Sequence, residues 1–137
     1  MPACLKLISD LKEKSKRPKS SSYDWNNYYS HRHINDFIDE LAYANPLWVK
    51  TKSIGKTYEG RDMKVIEISH AGPEAPIAWI EAGIHAREWI SSATATYIAN
   101  ELVNNYDENK EIVDNLNIYI LPMANPDGYE FSRYFDR

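Results

Sequence analysis

The spacing of apolar residues in the first half of the chain predicts one helix followed by two strands. The apolar positions of residues 34–43 fall on one face of a helix. This helix should end before Pro46, because the residue that precedes a proline avoids the helical region. Residues 48–54 and 63–69 are typical of strands, and Gly60 lies between them where a hairpin turn needs a glycine. We therefore expect a β-hairpin after the first helix.

The second half of the chain predicts a strand, a helix and a second strand. Residues 77–82 and 117–123 are nearly all apolar, as in strands that are buried on both faces. Between them, residues 90–103 have the strongest helical pattern, and residues 112–116 indicate a further helical turn. The buried stripe of the longer helix is expected to comprise Ile90, Ala93, Tyr97, Ile98 and Leu102. This order of elements is typical of an α/β fold with a partly parallel sheet.

Each of the two apolar strands is followed by a segment that carries polar side chains. Residues 85–89 follow the first strand and residues 125–129 follow the second. Ligands of α/β sheets bind beyond the carboxyl ends of the central strands. We therefore expect the two segments to meet at one rim of the sheet.

Composition and charge exclude several classes of function. The 137 residues suffice for one domain. A net charge of −4 argues against nucleic acid as a partner, because nucleic-acid-binding proteins usually display a basic surface. No run approaches the roughly 18 apolar residues of a membrane helix, and the first residues lack the apolar core of a secretory signal. The single cysteine, Cys4, cannot form an internal disulfide.

His85 and Glu88 are the candidate metal ligands. Residues three positions apart on a helical turn face the same way, so an imidazole and a carboxylate can converge on one cation. Hydrolytic zinc sites use such ligands, three from the protein with a water in the fourth position. A His-x-x-Glu pair also arises by chance, and either residue could be structural. Its place after an apolar strand and Gly83, at the start of the strongest helix, favours a metal site.

The other histidines are weaker candidates. His31 and His33 alternate before a helix and could chelate a metal in principle, but a solvated helix entry is the simpler interpretation. His70 ends a predicted strand and is expected to be exposed.

The segment around the candidate ligands resembles a known family. Residues 85–90, His-Ala-Arg-Glu-Trp-Ile, look like the zinc-ligand segment of the funnelin metallocarboxypeptidases, which include the pancreatic carboxypeptidases A and B. Residues 55–61, Gly-Lys-Thr-Tyr-Glu-Gly-Arg, and residues 125–129, Asn-Pro-Asp-Gly-Tyr, fit the same pattern. The resemblance covers about residues 20–137. It implies the N-terminal half of a mixed-sheet zinc carboxypeptidase fold, which is an α/β fold with helices on both faces.

The resemblance also implies an activity and roles for individual residues. The activity is zinc-dependent hydrolysis of the C-terminal peptide bond of peptides and proteins. Residues 125–129 are expected to be structural and to shape a loop. By position, two of the three ligands of the catalytic Zn²⁺ would be His85 and Glu88. Arg87 would line outer substrate subsites and Arg137 would be an auxiliary substrate contact, so the implied substrate-binding set is His85, Arg87, Glu88 and Arg137.

Further groups of the family mechanism are expected beyond Arg137. They are the third zinc ligand, the general-base glutamate and the main oxyanion-binding arginine, so no catalytic residue is assigned within the chain. We expect a truncated form that is inactive alone. Purified residues 1–137 should not appreciably hydrolyse a blocked dipeptide, and zinc-dependent hydrolysis by this chain would contradict that expectation.

The N-terminal segment has a different composition from the rest of the chain. It is rich in lysine and serine and contains Pro18, which marks a boundary near residue 20. The resemblance implies that residues 1–20 end an activation segment that a trypsin-like protease cuts, and that residues 21–137 begin the peptidase domain. A secreted zymogen would follow from that organisation. A solvated linker explains the same composition.

Two other functions remain open at this point. The chain could be a non-catalytic fragment that acts as a decoy or binding module. It could also belong to a zinc deacylase of N-acyl amino acids, which shares the His-x-x-Glu arrangement. Residues 86–89 and 125–129 favour the peptidase over the deacylase.

Overall fold

The computed structural model describes residues 23–135. The predicted boundary near residue 20, the activation segment and Arg137 lie outside these residues. The described elements, in chain order, are α1 (His31–Ala44), β1 (Val49–Lys56), β2 (Asp62–Ile68), β3 (Ile77–Glu81), α2 (Trp89–Asn104), α3 (Tyr106–Val113), β4 (Asn117–Leu121) and α4 (Pro126–Tyr134).

The strands form one mixed sheet in the order β1-β2-β4-β3. β1 pairs antiparallel with β2, and β2 pairs antiparallel with β4. β4 pairs parallel with β3, so the chain crosses over through α2 and α3 between these two strands. The predicted hairpin and the partly parallel sheet are both confirmed.

α1 begins and ends where the sequence predicts a helix, within a few residues. Ser30 caps it by accepting a hydrogen bond from the backbone N–H of His33, and the cap at Asn45 ends it one residue before Pro46. Its buried face includes Ile34, Phe37, Ile38 and Leu41, which have the spacing of one helical stripe.

The main core lies on one face of the sheet. Alternate residues of β2 and β4 point to that face, and they are Ile66, Ile68, Ile118 and Ile120. Side chains of α1 and α2 pack against these isoleucines in a single apolar cluster. The two helices therefore cover the same face.

An aromatic segment before α1 is anchored on α2. The hydroxyl of Tyr23 and the indole N–H of Trp25 each donate to Oγ1 of Thr96, at 3.2 Å in both cases. Thr96 is fully buried, and Tyr23 stacks on Phe37. Burial raises the pKa of Tyr23 to about 12, so this hydroxyl stays protonated and can donate at neutral pH.

The prediction that the strand at residues 77–82 is buried on both faces is wrong. β3 lies at one end of the strand order, and Ile77 and Trp79 are 59% and 49% exposed. Their neighbours Ala78 and Ile80 point the other way and pack against the core cluster. The two exposed side chains face away from the side that α1 and α2 cover, which is why an all-apolar strand is only half buried.

The predicted buried stripe of α2 is wrong in part. Ile90 and Tyr97 are exposed, whereas Leu102 is buried and Ile98 packs partly buried against the core cluster. The residues that α2 buries are mostly small, namely Ser92, Ala95, Thr96, Ala99, Leu102 and Val103. A face of mostly small side chains lets the helix lie close to the sheet, whereas Ile90 and Tyr97 lie on the outer face.

The predicted helical turn at residues 112–116 is only partly confirmed, because residues 112–113 end a longer helix and residues 114–116 are not helical. α3 starts at Tyr106, directly after the capping residue Asn105 that ends α2. No helix within residues 23–135 is long and apolar enough to cross a membrane.

Candidate metal centre

The candidate ligands lie on a turn between β3 and α2. β3 ends at Glu81, and Gly83 then adopts a left-handed conformation with φ of +65°. The backbone N–H of Glu88 donates to the carbonyl of His85 at 3.2 Å, which closes a turn immediately before α2. We call residues 83–89 the ligand loop. Its place at the carboxyl end of β3 is the place that the sequence predicts.

His85 and Glu88 approach each other within this turn. Nδ1 of His85 lies 3.1 Å from Oε1 of Glu88, and the two side chains are 70% and 62% exposed. Two donors on one tetrahedral zinc at about 2.1 Å are separated by about 3.4 Å. At 3.1 Å the two groups are joined by a direct hydrogen bond. As one imidazole nitrogen and one carboxylate oxygen they fit Zn²⁺ in chemistry, and their distance is close to that between two ligands of one zinc ion.

Ser91, in the first turn of α2, holds the two ends of the ligand loop together. Its hydroxyl accepts from the backbone N–H of Gly83 at 3.0 Å and donates to the carbonyl of Glu88 at 2.9 Å. The first residue of the loop is thereby tied to the residue that carries the candidate carboxylate ligand. This local closure fixes the backbone while the ligand side chains remain exposed.

The segment after β4 packs directly against the ligand loop. The backbone N–H of Asn125 donates to the carbonyl of Gly83 at 2.9 Å, and its side-chain amide donates to the carbonyl of Ile84 at 3.2 Å. The rings of Trp89 and Tyr129 also lie 6.0 Å apart, which confirms the expectation that residues 85–89 and 125–129 meet at one rim.

Residues 125–129 form a helix start rather than the expected loop. The side chain of Asn125 accepts from the N–H of Gly128 at 3.0 Å, and Pro126 occupies the first turn, where its missing N–H has no cost. A Cβ on Gly128 would lie 3.0 Å from Cβ of Ala86 and closer still to the Asn125 amide. A glycine at this position therefore allows α4 to approach the loop.

A second motif segment is attached to the same helix start. Asp127 accepts hydrogen bonds from the hydroxyl of Thr57 and the guanidinium of Arg61, each at 2.7 Å, and from the N–H of Glu59 at 3.1 Å. Burial acts to raise the pKa of Asp127, but these hydrogen bonds outweigh it and lower the pKa. The ionised carboxylate thus connects the β1–β2 hairpin to α4.

Ser132 is a contact residue of the site that the sequence did not reveal. Its hydroxyl accepts from the indole N–H of Trp89 and lies 2.8 Å from the carbonyl of Ala86. Both partners belong to the ligand loop, more than forty positions earlier in the chain. No short motif could have identified this contact, because it depends on how α4 folds back onto the rim.

The remaining predicted site residues are placed only in part. Arg87 is exposed between the two ligands, and Arg137 lies outside the described residues. Among residues 23–135 no group of three or more histidine, cysteine, aspartate or glutamate side chains could hold a metal ion. Within the described part of the chain, His85 and Glu88 therefore form a two-ligand set.

The other histidines have structural contacts. The prediction that His31 is solvated is wrong, because it is only 9% exposed and its Nε2 lies 2.7 Å from the carbonyl of Asp62. His33 is exposed beside Ser30, as expected. His70 is partly exposed, and its Nδ1 lies 2.8 Å from a carboxylate oxygen of Asp114.

Comparison with known proteins relates this arrangement to one family. A family model described as zinc carboxypeptidase matches residues 34–137. The chain is 42% identical to carboxypeptidase B of Astacus astacus over 114 residues, which cover 83% of this chain and 38% of that protein. It is 39% identical to zinc carboxypeptidase A 1 of Anopheles gambiae over 124 residues, which cover 90% of this chain and 28% of that protein.

A solved structure gives the same result for the fold. The carboxypeptidase A of Helicoverpa armigera superposes with a TM-score of 0.77 at 28% identity, covering 96% of this chain and 34% of that one. The chain thus spans between about a quarter and two fifths of the length of these relatives.

Proposed function

The chain belongs to the zinc carboxypeptidase family, and we propose that it supplies two zinc ligands, His85 and Glu88, to a carboxypeptidase. The reaction is hydrolysis of the C-terminal bond of peptides and proteins. The observation that carries the proposal is the 3.1 Å approach of an imidazole nitrogen and a carboxylate oxygen at the rim where β3 ends.

The residues of the loop have separate roles in this proposal. His85 binds the metal through a neutral ring nitrogen, and Glu88 contributes a carboxylate oxygen together with one negative charge. A bound zinc ion supplies Lewis acidity, which lowers the pKa of a water molecule and polarises a carbonyl. Arg87, exposed between the two ligands, donates hydrogen bonds to the peptide near the metal. Arg137 is an auxiliary substrate contact in the same proposal.

The proposal extends to partners and location. The substrate is the C-terminus of a peptide or protein, and nucleic acid is not a partner. We further propose an extracellular location and activation by a trypsin-like protease that cuts before residue 21. Support for these two points comes from the family resemblance of the sequence. The two curated relatives described above are both named carboxypeptidases, which supports a peptidase rather than a deacylase of N-acyl amino acids.

A chimera tests whether this chain can supply the metal ligands of an active enzyme. The matching segment of the Astacus astacus carboxypeptidase B is replaced by residues 34–137, which carry the whole family match. The chimera should release the C-terminal residue of a peptide, lose this activity when zinc is chelated, and regain it when Zn²⁺ is restored.

The control is the same chimera with Glu88→Gln, which keeps the size of the side chain and removes its charge. Loss of a group that only hydrogen-bonds to a metal ligand typically costs about 10–100-fold in metal affinity or activity. Loss of a direct ligand should therefore lower kcat/KM by more than about a hundredfold. A folded chimera whose activity is the same with glutamine at position 88, or the same without zinc, would contradict the proposal.

A further inference from the structure

Ser132 occupies an unusual position relative to the candidate ligands. It lies on α4 and is 9% exposed. Its hydroxyl accepts from Nε1 of Trp89 at 2.8 Å, and lies 2.8 Å from the carbonyl of Ala86 and 2.7 Å from that of Tyr129. Ala86 and Trp89 enclose Arg87 and Glu88 in the chain. One buried hydroxyl is therefore in contact with both sides of the turn that sets the spacing of the ligands.

The ligand side chains have little else to hold them. His85 and Glu88 are mostly exposed, so packing does not fix their directions. Other hydrogen bonds of the loop are the closure by Ser91 and the two from Asn125, and these act on Gly83, Ile84 and Glu88. Ser132 alone among these hydroxyl and amide groups contacts Ala86 and Trp89. α4 also packs on this turn through Gly128 and Tyr129, but the hydroxyl of Ser132 supplies the hydrogen bonds that join α4 to both Ala86 and Trp89.

We propose that Ser132 is a positioning residue for zinc, an inference that rests on the proposed function. By holding the carbonyl of Ala86 and the indole of Trp89, it keeps the imidazole of His85 and the carboxylate of Glu88 within reach of one metal ion. Zinc binding and the docking of α4 on the rim are then coupled. Because such coupling is reciprocal, zinc stabilises docked α4 and docked α4 strengthens zinc binding.

The test uses residues 1–137 and Zn²⁺ alone. The dissociation constant is obtained by following the imidazole resonances of His85 during a zinc titration, and the docking of α4 by amide hydrogen exchange with and without zinc. In the unmodified chain, zinc should slow exchange within α4. Ser132→Ala should weaken zinc binding by about 10–100-fold, as for other groups that orient metal ligands, and should remove the effect of zinc on α4 exchange.

Two further variants separate positioning from general stability. Ser132→Thr retains the hydroxyl and should restore zinc affinity. Ser92→Ala is a matched control, because Ser92 is a buried serine whose hydroxyl has no hydrogen-bond partner among residues 23–135; its zinc affinity should equal that of the unmodified chain. If Ser132→Ala does not fold, Trp89→Phe removes the donor from the same contact and should weaken zinc binding in the same direction.

The outcomes distinguish this inference from the proposed function. A Ser132→Ala variant that is less stable but binds zinc as tightly as the unmodified chain would overturn the positioning role and leave the ligand assignment intact. If zinc does not perturb His85 in the unmodified chain, the ligand assignment fails and the positioning role fails with it.

Discussion

Replacing Gly83 with alanine should lower the free energy of unfolding by about 3 kcal/mol. Gly83 has φ of +65°, a conformation that costs an L-residue about 1–2 kcal/mol. An added Cβ would also lie 2.6 Å from Oγ of Ser92, 2.9 Å from Cα of Met123 and 3.1 Å from the carbonyl of Pro122. Two of these atoms belong to the backbone just after β4, so the crowding cannot be relieved by a side-chain rotation, and overpacking of this kind costs about 1–3 kcal/mol.

Gly60→Ala is the matched control for the conformational part of this effect. Gly60 also has a positive φ, +82°, but a Cβ there would meet no atom within 4 Å among the residues that the structure describes. Guanidinium chloride unfolding of both variants should show a loss of only about 1 kcal/mol for Gly60→Ala. Equal losses of unfolding free energy for the two variants would show that crowding between Gly83 and residues 122–123 does not contribute to the effect.

The double variant Gly83→Ala with Ser92→Ala refines the test. Removal of the Ser92 hydroxyl relieves one of the three close contacts and leaves both backbone contacts. We therefore expect only partial recovery of the unfolding free energy. Full recovery would assign the whole effect to a side chain rather than to the backbone of the rim.

The elements themselves could be predicted because their signals are local. The apolar spacing of α1, the hairpin around Gly60 and the two apolar strands β3 and β4 each depend on a few neighbouring residues. The position of the rim followed from these elements, since the carboxyl ends of parallel strands lie at the same edge of a sheet. The sequence alone therefore predicts that the segment containing His85 and the segment containing Asn125 lie at the same rim.

The errors concern features that depend on packing at a distance. β3 is apolar on both faces, yet Trp79 is exposed because α1 and α2 cover only the opposite face of the sheet. His31 looks like a solvated helix entry in the sequence, but it is covered by Asp62 and by Glu130, whose carboxylate accepts from its backbone N–H at 2.6 Å. Neither partner has a sequence pattern that refers to His31.

The contacts around the candidate metal site also depend on residues that are distant in the sequence. The sequence identifies His85 and Glu88 by their spacing, and it identifies residues 125–129 as a motif without giving its contacts. Only the path of α4 shows that Asn125 begins a helix. The same path brings Ser132 into contact with Ala86 and Trp89. A candidate ligand pair can therefore be found from local spacing, whereas its contacts with α4 cannot.

Replacing His85 with alanine should abolish saturable zinc binding by residues 1–137. Within the described residues the candidate site has two ligands, His85 and Glu88. Removal of either leaves a single ligand, so the loss of affinity should exceed the roughly 10–100-fold that is typical when a group that hydrogen-bonds to a metal ligand is lost. Zinc titration followed by calorimetry measures the effect directly, and Glu88→Gln should give a loss of similar size because glutamine has no negative charge.

His33→Ala distinguishes the proposed site from adventitious binding to a surface histidine. His33 is exposed on α1, and its Nδ1 lies 2.7 Å from Oγ of Ser30, so it offers an accessible imidazole that does not belong to the ligand loop. This variant should bind zinc as tightly as the unmodified chain. If His33→Ala removed zinc binding while His85→Ala retained it, the metal centre would not be at the end of β3. If only His85→Ala and Glu88→Gln lost binding, the spacing of one imidazole and one carboxylate at that strand end would account for the affinity of the chain for zinc.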